Sequence, residues 1–260
     1  MIGGLKRACL IGGLALGLGS SAHAGSSLFR VCFEEWEPYA YIGPDHKIQG
    51  ISVDILRKAA EGKGWRLDFQ AMPYARCVKE VEAGKRDIKL FANPDEMPGL
   101  PRVATSTEYW MVAAVVHNSA PLDQYRDIQQ FSGFQVGRVN GYEMPEPIAS
   151  FRDWKEILAP GPEENLKLIH HQRIDATFLD LMWAERKITS LNLKLKVLRP
   201  LVVLMPQVSV LAPNRAHEAE QLENEIKSLF RRGDIDRIYR QHTGHDLKSW
   251  LKLAGRSDAK

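Results

Sequence analysis

An α/β protein built on a largely parallel sheet is what the sequence predicts, and three observations predict it. The apolar run Leu28, Val31 and Phe33 reads as a buried strand, and Gly50 is followed by Ile51, Val53, Ile55 and Leu56, which lead into a helix. Residues 67–72 alternate apolar and polar as a short strand does; Pro73 then suits the first turn of a helix that ends at a Gly84 cap. Asp87-Ile-Lys-Leu-Phe follows as the next strand. Strands joined through helices in the order β-α-β-α-β imply parallel pairing, with ligand loops gathered at one edge of the sheet.

Further along, residues 110–117, rich in Val and Ala, read as a strand, and residues 118–125 as exposed polar chain. Residues 163–169 have helical spacing, residues 171–180 read as turn and strand, residues 208–213 as a strand and residues 218–231 as an amphipathic helix. At the other end of the chain, residues 1–24 read as a cleavable secretory signal. Lys6 and Arg7 form its positive end, residues 8–19 are almost wholly apolar or glycine, and Ala22-His23-Ala24 is a small-x-small cleavage site. That apolar run is shorter than the roughly 20 residues of a membrane span, and no later stretch is long enough. The expectation is an exported, monomeric chain with no membrane insertion.

Charged residues at 26% and hydrophobic ones at 44% are ordinary for a globular protein. Losing Lys6 and Arg7 lowers the formal charge from +3 to about +1, which gives no reason to expect a nucleic-acid partner. Outside the signal, Cys32 and Cys77 are the only cysteines. In an oxidising compartment the pair suits a disulfide closing a loop of about 45 residues, with two buried free thiols as the alternative. His170 and His171 would point apart on a helix and read as surface, and no His/Cys cluster has metal spacing, so neither metal nor cofactor is expected.

The stretch from Glu34 to Leu56 stands out. Trp36, Pro38, Tyr39 and Tyr41 crowd aromatic surface into a segment that Pro38 keeps from being helical, and Gly43-Pro44-Asp45 reads as a turn. Aromatics on a loop at a strand's C-terminal end sit where open α/β proteins bind ligands; the plainer reading is cover for the core edge. Pro38-Tyr39 followed by Gly50, Val53, Asp54 and Leu56 resembles the start of family 3 of the bacterial extracellular solute-binding proteins, the periplasmic receptors of polar amino-acid-type ABC importers. Gly84 with Asp87, residues 106–109, residues 127–142, residues 171–180 and residues 233–244 resemble later segments of the same family in the same order.

That resemblance implies a two-lobed type II periplasmic binding protein, each lobe a mainly parallel sheet flanked by helices, with a two-stranded hinge. Lobe 1 would comprise residues 25–115 and 206–260, and lobe 2 residues 116–205. Trp36, Tyr39, Tyr74, Arg76 and Asn93 would line one wall, Tyr74 as the aromatic that stacks on the ligand. Asn140, Gly141, Tyr142 and Asp180 would line the other. There a Gly turn opening a helix would offer N–H groups to an anion, and Asp180 would hold a cationic group or cap a helix.

The sequence departs from the family where Asn93, Pro94 and Asp95 replace Ser and Thr, and where Arg102 arrives about three residues late for the arginine that clamps a ligand carboxylate. Either Arg76 or Arg102 substitutes, or the ligand lacks an α-carboxylate. The function implied is capture of a small polar solute, amino-acid-like or cationic, and its delivery to an ABC permease. A sensory module on the same scaffold is the alternative. A dehydratase-type enzyme with Asp180, Glu34 or Glu35 as acid is a further one, but no Ser-His-Asp order or Gly-x-Ser-x-Gly motif supports catalysis.

Overall fold

Met1 and residues 27–254 are described in the computed structural model, so the expected signal segment, residues 1–24, lies outside the described residues. The chain opens with β1 (Leu28–Phe33), a short hairpin of β2 (Tyr41–Ile42) and β3 (Ile48–Gln49), α1 (Ile51–Glu61), β4 (Arg66–Ala71), α2 (Tyr74–Glu82) and β5 (Ile88–Ala92). β1 pairs in parallel with β4 on one side and β5 on the other, as the alternation of strands and helices requires. Next come β6 (Arg102–His117), β7 (Gln135–Val139), β8 (Lys155–Ala159), α3 (Pro162–His170), β9 (Ala176–Asp180), α4 (Leu181–Ser190) and β10 (Leu195–Val197). β11 (Val203–Leu211), α5 (Ala216–Arg231), α6 (Asp234–Thr243) and α7 (Leu247–Leu253) complete the described chain.

One sheet runs through the molecule in the order β4-β1-β5-β11-β6-β9-β7-β8, with β10 also on β6. Two parallel triplets, β4-β1-β5 and β9-β7-β8, flank a central antiparallel pair, β11 and β6. The pair is the only strand link between the halves among the described residues. β6 spends its first part on β11 and its last part on β9, where Val112 faces Asp180 and Val116 faces Ala176. This is the two-lobed type II architecture with its two-stranded hinge. Phe29, Val31, Ile55, Leu222 and Tyr239 belong to the core of the first half, and Val112, Phe131, Val136 and Phe178 to that of the second.

The C-terminal helices return to the first half through Asp87. Its carboxylate accepts from Arg30 Nε at 3.0 Å on β1 and from Arg215 Nη2 at 2.9 Å just before α5. Burial alone would raise this acid, but the hydrogen bonds of Arg30 and Arg215 outweigh it and hold Asp87 below the usual carboxylate range. Cys32 on β1 and Cys77 on α2 form a disulfide with an S–S distance of 2.01 Å.

Several local expectations need correction. β6 begins at Arg102 rather than at residue 110, because backbone pairing such as Val103 with Ser209 overrides the polar side chains of residues 105–108. No helix follows Gly141. Pro145 and Pro147 remove two N–H donors that a first helical turn would carry forward, and residues 146–150 form turns. The edge strand β8, with Lys155, Glu156 and Leu158 exposed, had no sequence signal strong enough to predict it. The rings of His170 and His171 do not point apart; their centroids lie 5.0 Å from one another.

Candidate functional site

The loop after β1 is held by the start of α1. Gly50 has φ of 133°, a conformation an L side chain rarely adopts, and a Cβ there would lie 2.2 Å from the Tyr39 carbonyl oxygen. That close approach lets Ile51 N donate to Pro38 O at 3.0 Å and Ser52 N to Tyr39 O at 2.9 Å, so the loop's carbonyls take two of the helix's free N–H groups. The aromatic loop is therefore fixed in place by the Gly50 motif. Tyr39 is fully buried, its hydroxyl donating to Tyr109 O at 3.1 Å, and such burial contributes roughly 2 kcal/mol of hydrophobic stabilisation. Trp36 lies over it, 4.4 Å between ring centroids, and meets Phe91 edge-on at 5.1 Å.

Lys89 on β5 extends this wall. Its side chain is 2% exposed; Nζ donates to the Phe91 carbonyl at 2.7 Å and the Leu90 carbonyl at 3.3 Å, lies 3.5 Å from Glu96 Oε1, and sits 4.4 Å from the centre of the Tyr74 ring. Burial pulls the ammonium pKa down, and Glu96 and Glu34 hold it up. Tyr74, at the first turn of α2, is 40% exposed, and its phenol is pushed up by burial and then by Glu96, Glu143 and Glu34. Replacing Lys89 with methionine should cost roughly 3 kcal/mol, since Glu96 loses its counter-charge. Urea unfolding of Lys89→Met, Glu96→Gln and the double variant would show it, the double variant recovering most of the loss; additive losses would dismiss the pairing.

On the other half, Tyr142 is 53% exposed, and its phenol is raised by burial and by Glu34 across from it. Tyr142 and Glu143 thus come within electrostatic reach of Glu34 and Tyr74. Asp180 ends β9 and caps α4, with Oδ1 accepting from Trp183 N at 3.1 Å. Its Oδ2 is buried and has no hydrogen-bond partner. Burial pushes this carboxyl up to about 7, while the backbone N–H groups of Trp183, Met111 and Met182 pull the other way. The Asp180 charge also raises the Tyr39 phenol, which places the acid beside the aromatic wall. A further tie between the halves is Arg186 on α4, 2.8 Å from Glu37 in the aromatic loop.

The structure thus gathers Trp36, Tyr39, Tyr74 and Asn93 on one side and Tyr142 and Asp180 opposite or beside them. Tyr39 lies beneath the surface, supporting Trp36. Asn93 Oδ1 accepts from Gln207 Nε2 at 2.9 Å, tying the loop after β5 to β11. Arg76 is turned along its own helix to Glu80 at 2.7 Å, and Arg102 donates to the carbonyls of Pro94, Glu96 and Met97. Asn140 and Gly141 form an exposed turn after β7, with Asn140 N donating to Ala159 O at 2.9 Å.

Sequence reasoning missed Lys89, Glu96, Phe91 and Gln207. A lysine flanked by Ile88 and Leu90 in an apolar strand is the signal that could have found the first of them. Two concavities lie elsewhere. A cavity of about 20 Å³ is lined in part by the buried Glu108, and an open groove of about 590 Å³ is lined in part by Arg57, Phe69 and His242. Among the described residues no group of three side chains could hold a metal ion, and no helix is long and apolar enough to cross a membrane.

Residues 29–245 match the family model of the bacterial extracellular solute-binding proteins, family 3. No curated protein matches the chain in sequence. Among solved structures, the probable amino-acid ABC transporter extracellular-binding protein YtmK from Bacillus subtilis superimposes with a TM-score of 0.72 at 12% identity, covering 84% of this chain and 98% of that one. A histidine kinase sensor domain similar to periplasmic binding proteins gives 0.69 at 16%, covering 85% and 97%. An ancestral arginine-binding protein bound to arginine gives 0.67 at 17%, covering 83% and 98%. At these identities the likeness is one of fold.

Proposed function

From the premise that this chain belongs to the bacterial extracellular solute-binding proteins of family 3, we propose that it is a periplasmic receptor that captures a small polar solute between its lobes and delivers it to an ABC importer. The observation that carries this reading is the buried Asp180 Oδ2 without a partner, beside an aromatic wall and at the end of β9 where that strand pairs with β6. A buried acceptor of this kind calls for a donor, and a solute entering between the halves would supply it. In this reading Trp36 and Tyr74 contact the body of the solute, Asn93 sets the loop, Tyr142 with Asn140 and Gly141 closes from the second lobe, and Asp180 anchors a donor group. Lobe 1 is residues 25–115 with 206–260, lobe 2 is residues 116–205, and β6 and β11 bend between them. Closure is then a population shift powered by the extra contacts of the closed state. The solute is released unchanged.

A thermal-shift screen of the exported form against amino acids, polyamines, small carboxylates and oligopeptides tests this. A solute at 100 times its Kd should add roughly 2.7 kcal/mol. Silence across every class would remove the receptor reading. Given a hit, cells lacking the protein should lose uptake of that solute; intact uptake would turn the reading to the sensory role that the same chemistry could serve.

A further inference from the structure

We propose that the cleft takes a small organic cation that carries no carboxylate: an amine or guanidine with a flat or apolar body. This rests on the solute-receptor reading and narrows it. Glu34, Glu143 and Asp180 form no ion pair among the described residues, Lys89 acting on Glu34 only from beyond ion-pair distance, and Glu34 and Glu143 both act on Tyr74. Lys89 donates to two carbonyls and lies 3.5 Å from Glu96 Oε1, so its charge is matched by Glu96 inside the wall rather than held out to an incoming carboxylate. Arg102 is spent on three carbonyls of the loop after β5, and Arg138, whose Nη2 turns to the Tyr142 carbonyl, is neutralised by Glu156 at 2.9 Å.

The independent sign of a ligand is Asp180, whose buried Oδ2 accepts from nothing. A cation supplies both what that oxygen lacks and what the neighbouring acids lack. A carboxylate would meet uncompensated negative charge at low dielectric, where like charges repel strongly. Tyr74 and Tyr142, both exposed, offer ring faces to a cation or to the plane of a guanidine; Lys89 already occupies a place against Tyr74, which leaves Tyr142 the better partner for the charge.

Matched pairs isolate the carboxylate. Titration calorimetry of the exported form would compare agmatine with arginine and cadaverine with lysine, alongside glutamate and glucose. The decarboxylated member of at least one pair should bind ten or more times tighter than its amino acid, and Glu34→Gln should weaken it several-fold. Arginine or lysine binding as tightly as its partner would overturn the inference. Binding confined to glutamate or glucose would overturn it too, yet leave the receptor reading standing. No response here and none in the broad screen would remove both.

Discussion

Asp180→Asn should make the unliganded protein more stable above pH 7 while abolishing capture of a cation. Asp180 carries a carboxyl raised by burial to about 7 from 3.8. Because the folded state binds this proton more tightly than the unfolded chain, the associated stability is fully present below about pH 4. It is lost as the pH rises through about 7, where the buried oxygen must ionise. A shift of this size corresponds to up to about 4 kcal/mol. Asparagine is neutral at every pH, and its side-chain oxygen can still cap α4 by accepting from Trp183 N. Thermal melts of both forms between pH 4 and 9 should therefore converge at the acid end and separate at the alkaline end. A parallel pair of curves would show that Asp180 ionises without cost and that its environment is not the dry one described. Binding measured on the same samples should fall for the wild type as the pH drops below about 7, since only the carboxylate attracts a cation.

Removing the disulfide is the second large effect. Cys32 and Cys77 are separated by 45 residues in sequence, and opening a loop of that length should cost about 4 kcal/mol through the entropy regained by the unfolded chain. For a chain of this size that is a fall in Tm of roughly 10 °C. The effect should reach the site as well, because Cys77 anchors the helix whose first turn carries Tyr74. Melts of the Cys32→Ser, Cys77→Ser double variant, and of the wild type with and without dithiothreitol, give the comparison. If reduction leaves the Tm unchanged, the bond does not contribute. If stability falls and solute affinity does not, α2 is held by its packing through Val81 and the bond serves stability alone.

Apolar periodicity and punctuation by Pro73 and Gly84 sufficed for β1, α1, β4, α2 and β5, because each of these elements buries a face that its own spacing defines. The Gly50 motif was legible through its resemblance to the family, and the structure supplies its physical reason: a positive φ and a close backbone approach admit little else. By contrast, residues 103–109 look polar and loop-like on their own. They become strand only because β11, about a hundred residues later, lies alongside to pair with them. Local propensity cannot report a partner that distant.

What the sequence by itself determined is the α/β class, the order of elements in the first half and the aromatic loop, all set by local spacing and backbone chemistry, while the candidate acid Asp180 came from resemblance to the family. What only the tertiary structure decided is which charges are free. Arg76 and Arg102 both read as possible carboxylate clamps until their partners were seen, and Lys89 read as an ordinary strand residue until its burial against Glu96 and Tyr74 appeared. Whether a charge can serve a ligand depends on burial and on neighbours brought from elsewhere in the chain, and those are properties of the folded arrangement rather than of any one segment.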